Sequence, residues 1–479
     1  MKYFIKLLLL LNFFTLGANE ITFDEQSVIE ASKKDNPTID QIEQAYLASK
    51  LQLLQFDDQF NSSLYGNTSY SKTNEKQFGQ FQPVTSPIKS SQLGIKSSFK
   101  QGFSLSVGAF NNQTTNSFVQ EGTLTGLNAQ LSLDLWKNFL GRSANAKFKG
   151  LESFSKRASL ESKINKTAFT QNIRKLYWSL VANNEAIKIT KKLLSSSKLQ
   201  VQEANRRFKK KIADSGEVSR YKSQVAARSA QIVSLQYQRE SLIQSLKELI
   251  PEWSNKNLKL GAYDVEAQVD KVLKCTAVIA QSQRPPLDNT LYDDVLTLLK
   301  EEKANELKVS KLYNHADVHL VSEVKYFGKD LGNSKAMDEF SDNPAKSYSI
   351  GLSFDIPIEG KRKTTKDILN KLNNKKYKAL EENTFSKIEA YHGQIIRTVS
   401  LLREIVKNQK ENTYHLERSL KSSKRKFNQA RLSVQQLVQE QDAFLQSNLD
   451  EIQTKLNVIH TLLDYLSVYT ETSCEMNRI

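Results

Sequence analysis

His315 and His319 stand four residues apart, the spacing that would put two imidazoles on one helical face where they could share a cation. The surrounding pattern argues for a strand. Val318, Leu320, Val324 and Tyr326 alternate with His319, Glu323 and Lys325, and no third ligand is near in sequence, so no metal site is expected. Cys275 and Cys474 are the only cysteines, and they could close a disulfide in an oxidising compartment or remain two free buried thiols. There is no nucleophile elbow, no phosphate loop and no carboxylate pair beside a base. The expectation is a protein that is not an enzyme and uses no cofactor.

The elements that would hold such residues are of two kinds. The 479 residues include only 8 Pro and 17 Gly, which permits very long uninterrupted helices. The start, MKYFIKLLLLLNFFTLGANE, has Lys2 and Lys6 before an apolar run and small residues at Gly17 and Ala18, and so reads as a signal peptide over 1–18. No later apolar run approaches the ~20 residues of a membrane helix, although this does not exclude a membrane barrel. The net charge of +16 would suit nucleic acid or anionic lipid, but an exported chain without a groove-reading motif points to a solvated basic surface and no nucleic-acid partner.

The chain is written twice. LNAQLSLDLWKNFLGR at 127–142 and SYSIGLSFDIPIEGKR at 347–362 each alternate apolar and polar residues, end in a glycine (Gly141, Gly360) and lead into a long heptad-like stripe. In the second copy the stripe runs from Ile368 through Leu372, Ile388, Ile395 and Leu402 to Phe427, and a partner returns from Leu432 to Leu466. The first copy does the same from Phe148 toward Phe208 and back from Val225 to Leu246. A duplication of about 215 residues accounts for both, with Gly216 set against Ala430. The expected divisions are a first repeat at 19–250, a joining segment at 251–287, a second repeat at 288–470 and a tail at 471–479. Leu93 to Ala109, flanking the KQG at 100–102, looks like an extra hairpin near 91–112 that the second copy lacks, and a polar loop is expected at about 328–345.

This gives an α+β chain with four principal strands, and four strands cannot close a barrel in lipid, where an open edge leaves backbone groups unpaired. Three chains would supply twelve. Trp136 fits either a membrane interface or a strand-end core. A secreted or periplasmic coiled-coil tether or adhesin would explain the helices but not the strands, and a periplasmic adaptor would need only one helical hairpin.

The corners LDLWKNFLG and FDIPIEGKR, the segment ASKKDNPTI at 31–39 with Asn36-Pro37, and the patterns Gly216-x-x-Ser219 and Ala430-x-x-Ser433 resemble the TolC-type outer membrane factors over nearly the whole mature chain. The resemblance implies a homotrimeric twelve-stranded barrel in outer-membrane lipid, continued by a helical periplasmic tunnel. Its partners would be a periplasmic adaptor and an inner-membrane pump of the RND or ABC type, in efflux or type I secretion. It implies docking tips at Gly216, Glu217, Val218 and Ser219 and at Ala430, Arg431, Leu432 and Ser433. The aperture positions, acidic in many members, are Gln436 and Gln439 here, which can hydrogen-bond but cannot form a repulsive ring of carboxylates. Cys275 and Cys474 would both fall in the equatorial region, within reach of a disulfide. Beside the tips lie basic clusters: Arg206, Arg207, Lys209, Lys210 and Lys211, then Lys421, Lys424, Arg425, Lys426 and Arg431. Part of this charge is expected at helix C-termini; the surplus would form a positive collar steering an acidic adaptor surface or the anionic inner-membrane face.

Overall fold

The computed structural model describes residues 20–76, 84–116, 121–281, 290–313, 316–356, 361–429 and 431–469. The signal peptide, His315, Gly360, Ala430, Cys474 and the tail at 471–479 lie outside them. In chain order the elements are β1 (Glu20–Phe23), α1 (Glu25–Lys33), α2 (Pro37–Asp58), β2 (Ser63–Ser71), β3 (Ile88–Phe99), β4 (Phe103–Thr114) and β5 (Gly122–Asp134). Then follow α3 (Arg142–Lys209), α4 (Ser215–Leu249), β6 (Asn257–Leu260), α5 (Val265–Gln281), α6 (Leu291–Tyr313), β7 (Asp317–Leu331), α7 (Asn333–Asp342), β8 (Ala345–Asp355), α8 (Lys361–Asn428) and α9 (Val434–Val468). Both α3 and α8 have 68 residues, and both α4 and α9 have 35. At 1.5 Å per residue the longer pair each extend ~100 Å.

The chain divides into two compact units, one of residues 1–44, 161–293 and 383–479, the other of 45–160 and 294–382. The first is helical, and its core is the merged stripes of the long helices: Ile173, Tyr177 and Leu180 of α3, Leu246 of α4, and Leu462, Leu463 and Leu466 of α9 are all almost wholly buried. A parallel pair, β1 with β6, brings Phe23 against Tyr177 and Trp253, and Val269 and Val272 of α5 complete the cluster. One ion pair is sealed inside it. Arg174 donates to Glu25 at 2.7 Å, and Gln171 accepts a second bond from the guanidinium, which offsets the desolvation of both charges.

Asn36, picked out with Pro37 in the sequence, shows why that dipeptide stands there. Its Oδ1 accepts from the Thr38 N–H to start α2 with proline at the first helical position, and its Nδ2 donates to the carbonyls of Ser32 and Leu249. One buried amide thus ends α1, starts α2 and satisfies the C-terminus of α4.

The second unit holds an antiparallel sheet in the order β2-β3-β4-β5-β7-β8. The expectation of four strands per chain is corrected: the hairpin β3–β4 lies within the sheet, between β2 and β5, and makes six. Local alternation revealed the hairpin, but strand order is set by long-range pairing that periodicity does not encode. The polar loop expected at about 328–345 is also corrected. β7 runs on to Leu331, and α7 packs Ala336 over Gly328, where a side chain would strike its backbone.

Asn36→Ala should destabilise the helical unit by about 1–3 kcal/mol, the cost of leaving a buried carbonyl and a helix start unsatisfied, measurable by denaturant unfolding.

Candidate functional site: the sheet wall and the helical turns

The sheet is polarised the wrong way for a soluble protein. In register across all six strands lie Leu64, Ile95, Val107, Ala129, Val324 and Tyr348, and two residues further along come Leu105, Leu131 and Ile350. These side chains face outward. Leu64 is 74% exposed and Ile350 78%, while Asn128 on the opposite face is 7% exposed. Aromatics gather near the helix-bearing end of the apolar face, where Phe99 and Phe103 stack at 4.3 Å and Trp136 is exposed. This is the distribution of a lipid-facing wall with an aromatic belt.

The opposite face carries a polar ladder. Gln92 donates to the Tyr65 hydroxyl at 3.1 Å and to Asn128 at 3.4 Å, Asn128 reaches Glu323 at 3.5 Å, and Lys325 pairs with Glu323 at 2.9 Å. A close approach makes this geometry. Gly94 and Gly108 pair across β3 and β4, and a Cβ on either would meet the Tyr65 hydroxyl at 2.8 Å. The two glycines leave the groove that Tyr65 fills.

The corner LDLWKNFLG is a strand-to-helix joint. Asp134 accepts the N–H groups of Trp136 and Asn138, and Asn138 Oδ1 accepts those of Ser143 and Ala144 to open α3. Leu140 and Gly141 take positive φ, 53° and 80°, to make the bend. His319 acquires neighbours that sequence did not show: β5–β7 register sets it opposite Asp134, and Asp134, Asp317 and His319 have ligand atoms within 4.8 Å of one another. The expectation of no third ligand is corrected on that point. Each carboxylate nevertheless has a partner, the backbone N–H groups for Asp134 and Lys137 at 3.1 Å for Asp317.

At the helical turns the structure revises the alignment of the copies. Asp214 caps α4 by accepting from Glu217 N, and Ser433 caps α9 by accepting from Gln436 N. Just before them, Ile212 N donates to Arg207 O and Arg431 N to Lys426 O, both at 2.9 Å. Asp214 therefore corresponds to Ser433, and the pairing of Gly216 with Ala430 is corrected: Gly216 sits in the first turn of α4, and the positive φ of the bend between α3 and α4 belongs to Lys211, at 61°. The distinctive residue misled because a glycine is tolerated in a first helical turn as well as in a bend.

Gln436, expected at an aperture, folds back in a capping box, its Oε1 accepting from Ser433 N at 3.3 Å. Gln439 is exposed in a groove of 370 Å³ lined also by Arg220, Gln224, Arg228 and Asp442. Glu217 and Ser219 flank a buried Val218, which packs with Ala204, Tyr221 and Val434, while Arg431 is exposed and Leu432 half-buried. Of the basic residues, Arg207 is held by Glu217 at 3.0 Å over the Phe427 ring, and Arg206 by Glu203. Lys209, Lys210, Lys211, Lys421, Arg425 and Lys426 are exposed, and Lys424 is half-buried. Cys275 is buried and disulfide-bonded.

Sequence reading missed a cavity of 380 Å³ lined by Trp178, Tyr263, Glu266 and Lys455. Burial opposes the Glu266 charge, but Lys410 and Lys455 outweigh it and hold the carboxyl below its usual range. The signal was absent because these groups come from three distant segments.

With this geometry in place, comparison with solved structures is decisive for the fold. The Campylobacter jejuni CmeC outer membrane channel aligns with a TM-score of 0.67 at 12% identity, covering 95% of this chain and 88% of that one. The chain has the fold of the outer membrane channels. The Vibrio cholerae outer membrane protein VceC aligns at 0.65 and 13% identity over 92% of this chain and 95% of its own. The open-state Neisseria gonorrhoeae MtrE outer membrane channel gives 0.61 and 12% over 92% and 88%. No protein-family model matches the sequence, and no curated protein matches it either. At such identities the channel fold is kept by polarity pattern and element length.

Gly108→Val should weaken the sheet by about 1–3 kcal/mol despite the high strand propensity of valine, because it displaces Tyr65. Tyr65→Ala should recover part of that loss in the double variant, read by urea unfolding in detergent. Ser433→Ala and Asp214→Ala should each cost about 1 kcal/mol of helix stability, read by hydrogen exchange in the first turns of α9 and α4.

Proposed function

We propose that this protein is a passive outer-membrane exit duct: a homotrimer whose sheets form a lipid-embedded barrel and whose long helices extend into the periplasm. The observation that carries the reading is the inverted polarity of the sheet, with leucine, isoleucine and tyrosine outward and an amide and carboxylate ladder on the other face. A single sheet of this kind leaves two edges that lipid cannot satisfy, so closure requires further copies. The resemblance to TolC-type factors and the channel fold support three.

In this reading a periplasmic adaptor docks at the turns and opens them, and an inner-membrane pump of the RND or ABC type supplies the energy for efflux or type I secretion. The docking residues are Glu217, Val218 and Ser219 in one copy and Arg431, Leu432 and Ser433 in the other, with Gly216 and Ala430 beside them. Gln436 and Gln439 would meet at a narrow end, Gln436 contributing through its cap. The exposed lysines at 209–211, with Lys424, Arg425 and Lys426, form a positive collar that attracts an acidic adaptor surface. A disulfide from Cys275 to Cys474 would staple the C-terminal tail to α5.

Fractionation should place the protein in the outer membrane as a trimer that dissociates only on heating; a soluble monomer would sink the duct. Photocrosslinkers at Glu217 and Leu432 should capture an adaptor. Reversing Lys209, Lys210 and Lys211 to glutamate should slow adaptor association about 10-fold or more at low salt and much less at high salt.

A further inference from the structure

We propose that three copies close an eighteen-stranded barrel, β8 of each chain pairing antiparallel with β2 of the next. The inference rests on the trimeric duct proposed above and goes beyond it in the number of strands and the width of the wall.

β2 and β8 are the outer strands of the sheet, each hydrogen-bonded on one side only among the described residues. Successive strands alternate in direction, so the first and last of six run opposite ways. Joining copies head to tail therefore extends the antiparallel ladder without a parallel seam. The side chains agree. Leu64 on β2 and Tyr348 on β8 end the same in-register apolar row, and β8 exposes Tyr348, Ile350, Leu352 and Phe354 on that face, each at 60% or more. A neighbour on either edge would continue one unbroken apolar surface.

The hairpin β3–β4 belongs to the wall and is not an appendage. It is paired on both sides: β3 with β2 from Ser63↔Lys96 to Ser71↔Ile88, and β4 with β5 over its whole length from Phe103↔Leu133 to Thr114↔Gly122. Its turn is fastened at the base. Asp134 N donates to Gly102 O at 2.7 Å, and Lys100 pairs with Asp57 while its ammonium lies 4.0 Å from the Phe148 ring centroid. Gly102 is obligatory there, because it has φ 89° and a Cβ would strike Asn138 O at 2.2 Å. Tyr65 adds a further tie from β2 across Gly94 and Gly108. Swinging the hairpin out, so that β2 paired directly with β5 and three chains gave twelve strands, would break all of these contacts. Diameter grows roughly linearly with strand number, so the eighteen-stranded wall is about 1.5-fold wider than a twelve-stranded one.

Paired cysteines separate the two arrangements in the full-length protein extracted from membranes. Leu64→Cys with Ile95→Cys, and Val107→Cys with Ala129→Cys, should link within one chain. Leu64→Cys combined with Tyr348→Cys, Ile350→Cys or Leu352→Cys should link between chains for at least one of the three, since barrel stagger shifts register in steps of two. Interchain links without the intrachain ones, together with a Leu64→Cys to Ala129→Cys link, would overturn the eighteen-stranded wall and leave the duct standing. Absence of interchain links from a monomeric protein would remove both. Strand counting by electron cryomicroscopy of the unmodified trimer supplies an independent readout: eighteen supports the inference, twelve overturns it.

Discussion

Backbone hydrogen bonding at two sheet edges governs this structure. Each peptide carries a donor and an acceptor whose burial without a partner costs several kcal/mol in hydrocarbon, and a six-stranded sheet presents two rows of them on β2 and β8. The inverted polarity of the sheet makes that demand severe, because its exposed leucines and isoleucines favour lipid, where water cannot satisfy an edge. In the proposed duct, assembly is then part of folding. The polar ladder on the opposite face and the side-chain caps at Asn138, Asp214 and Ser433 follow from the same requirement on a smaller scale.

The helical unit obeys a different constraint. Helices of 68 residues satisfy their own backbones, so their stability depends on continuous stripes meeting one another. Where polar groups enter that core they are held in sets: Arg174 with Glu25 and Gln171, Gln224 with Gln441, Lys455 with Glu266 and Glu451. Each set fixes the register of one helix against another more narrowly than leucine contacts can. The helix ends are treated with equal care, as the side chains of Asp214, Ser433, Asn138 and Asn36 show.

Much of this was legible in the chain. The long apolar stripes, the two alternating segments and the extra hairpin are local patterns, and each corresponds to an element that forms. The misreadings share one cause. Gly216 attracted attention as a breaker, yet the bend is made at Lys211 and closed by Asp214, and Ser433 in a run without glycine does the same work as Asp214. His319 lacked a third ligand in sequence and gained two carboxylate neighbours only through strand register.

The sequence by itself determined the kinds of element, their lengths and their duplication, because helical and strand periodicities are properties of neighbouring residues. It also determined that one face of the strands is apolar. Only the tertiary structure decided that β3 and β4 stand inside the sheet, that Tyr65 crosses a pair of glycines, and that Asp214 matches Ser433. Those outcomes depend on which distant backbones pair and how closely they approach, and pairing energy between strands far apart in the chain leaves no periodic mark on either one.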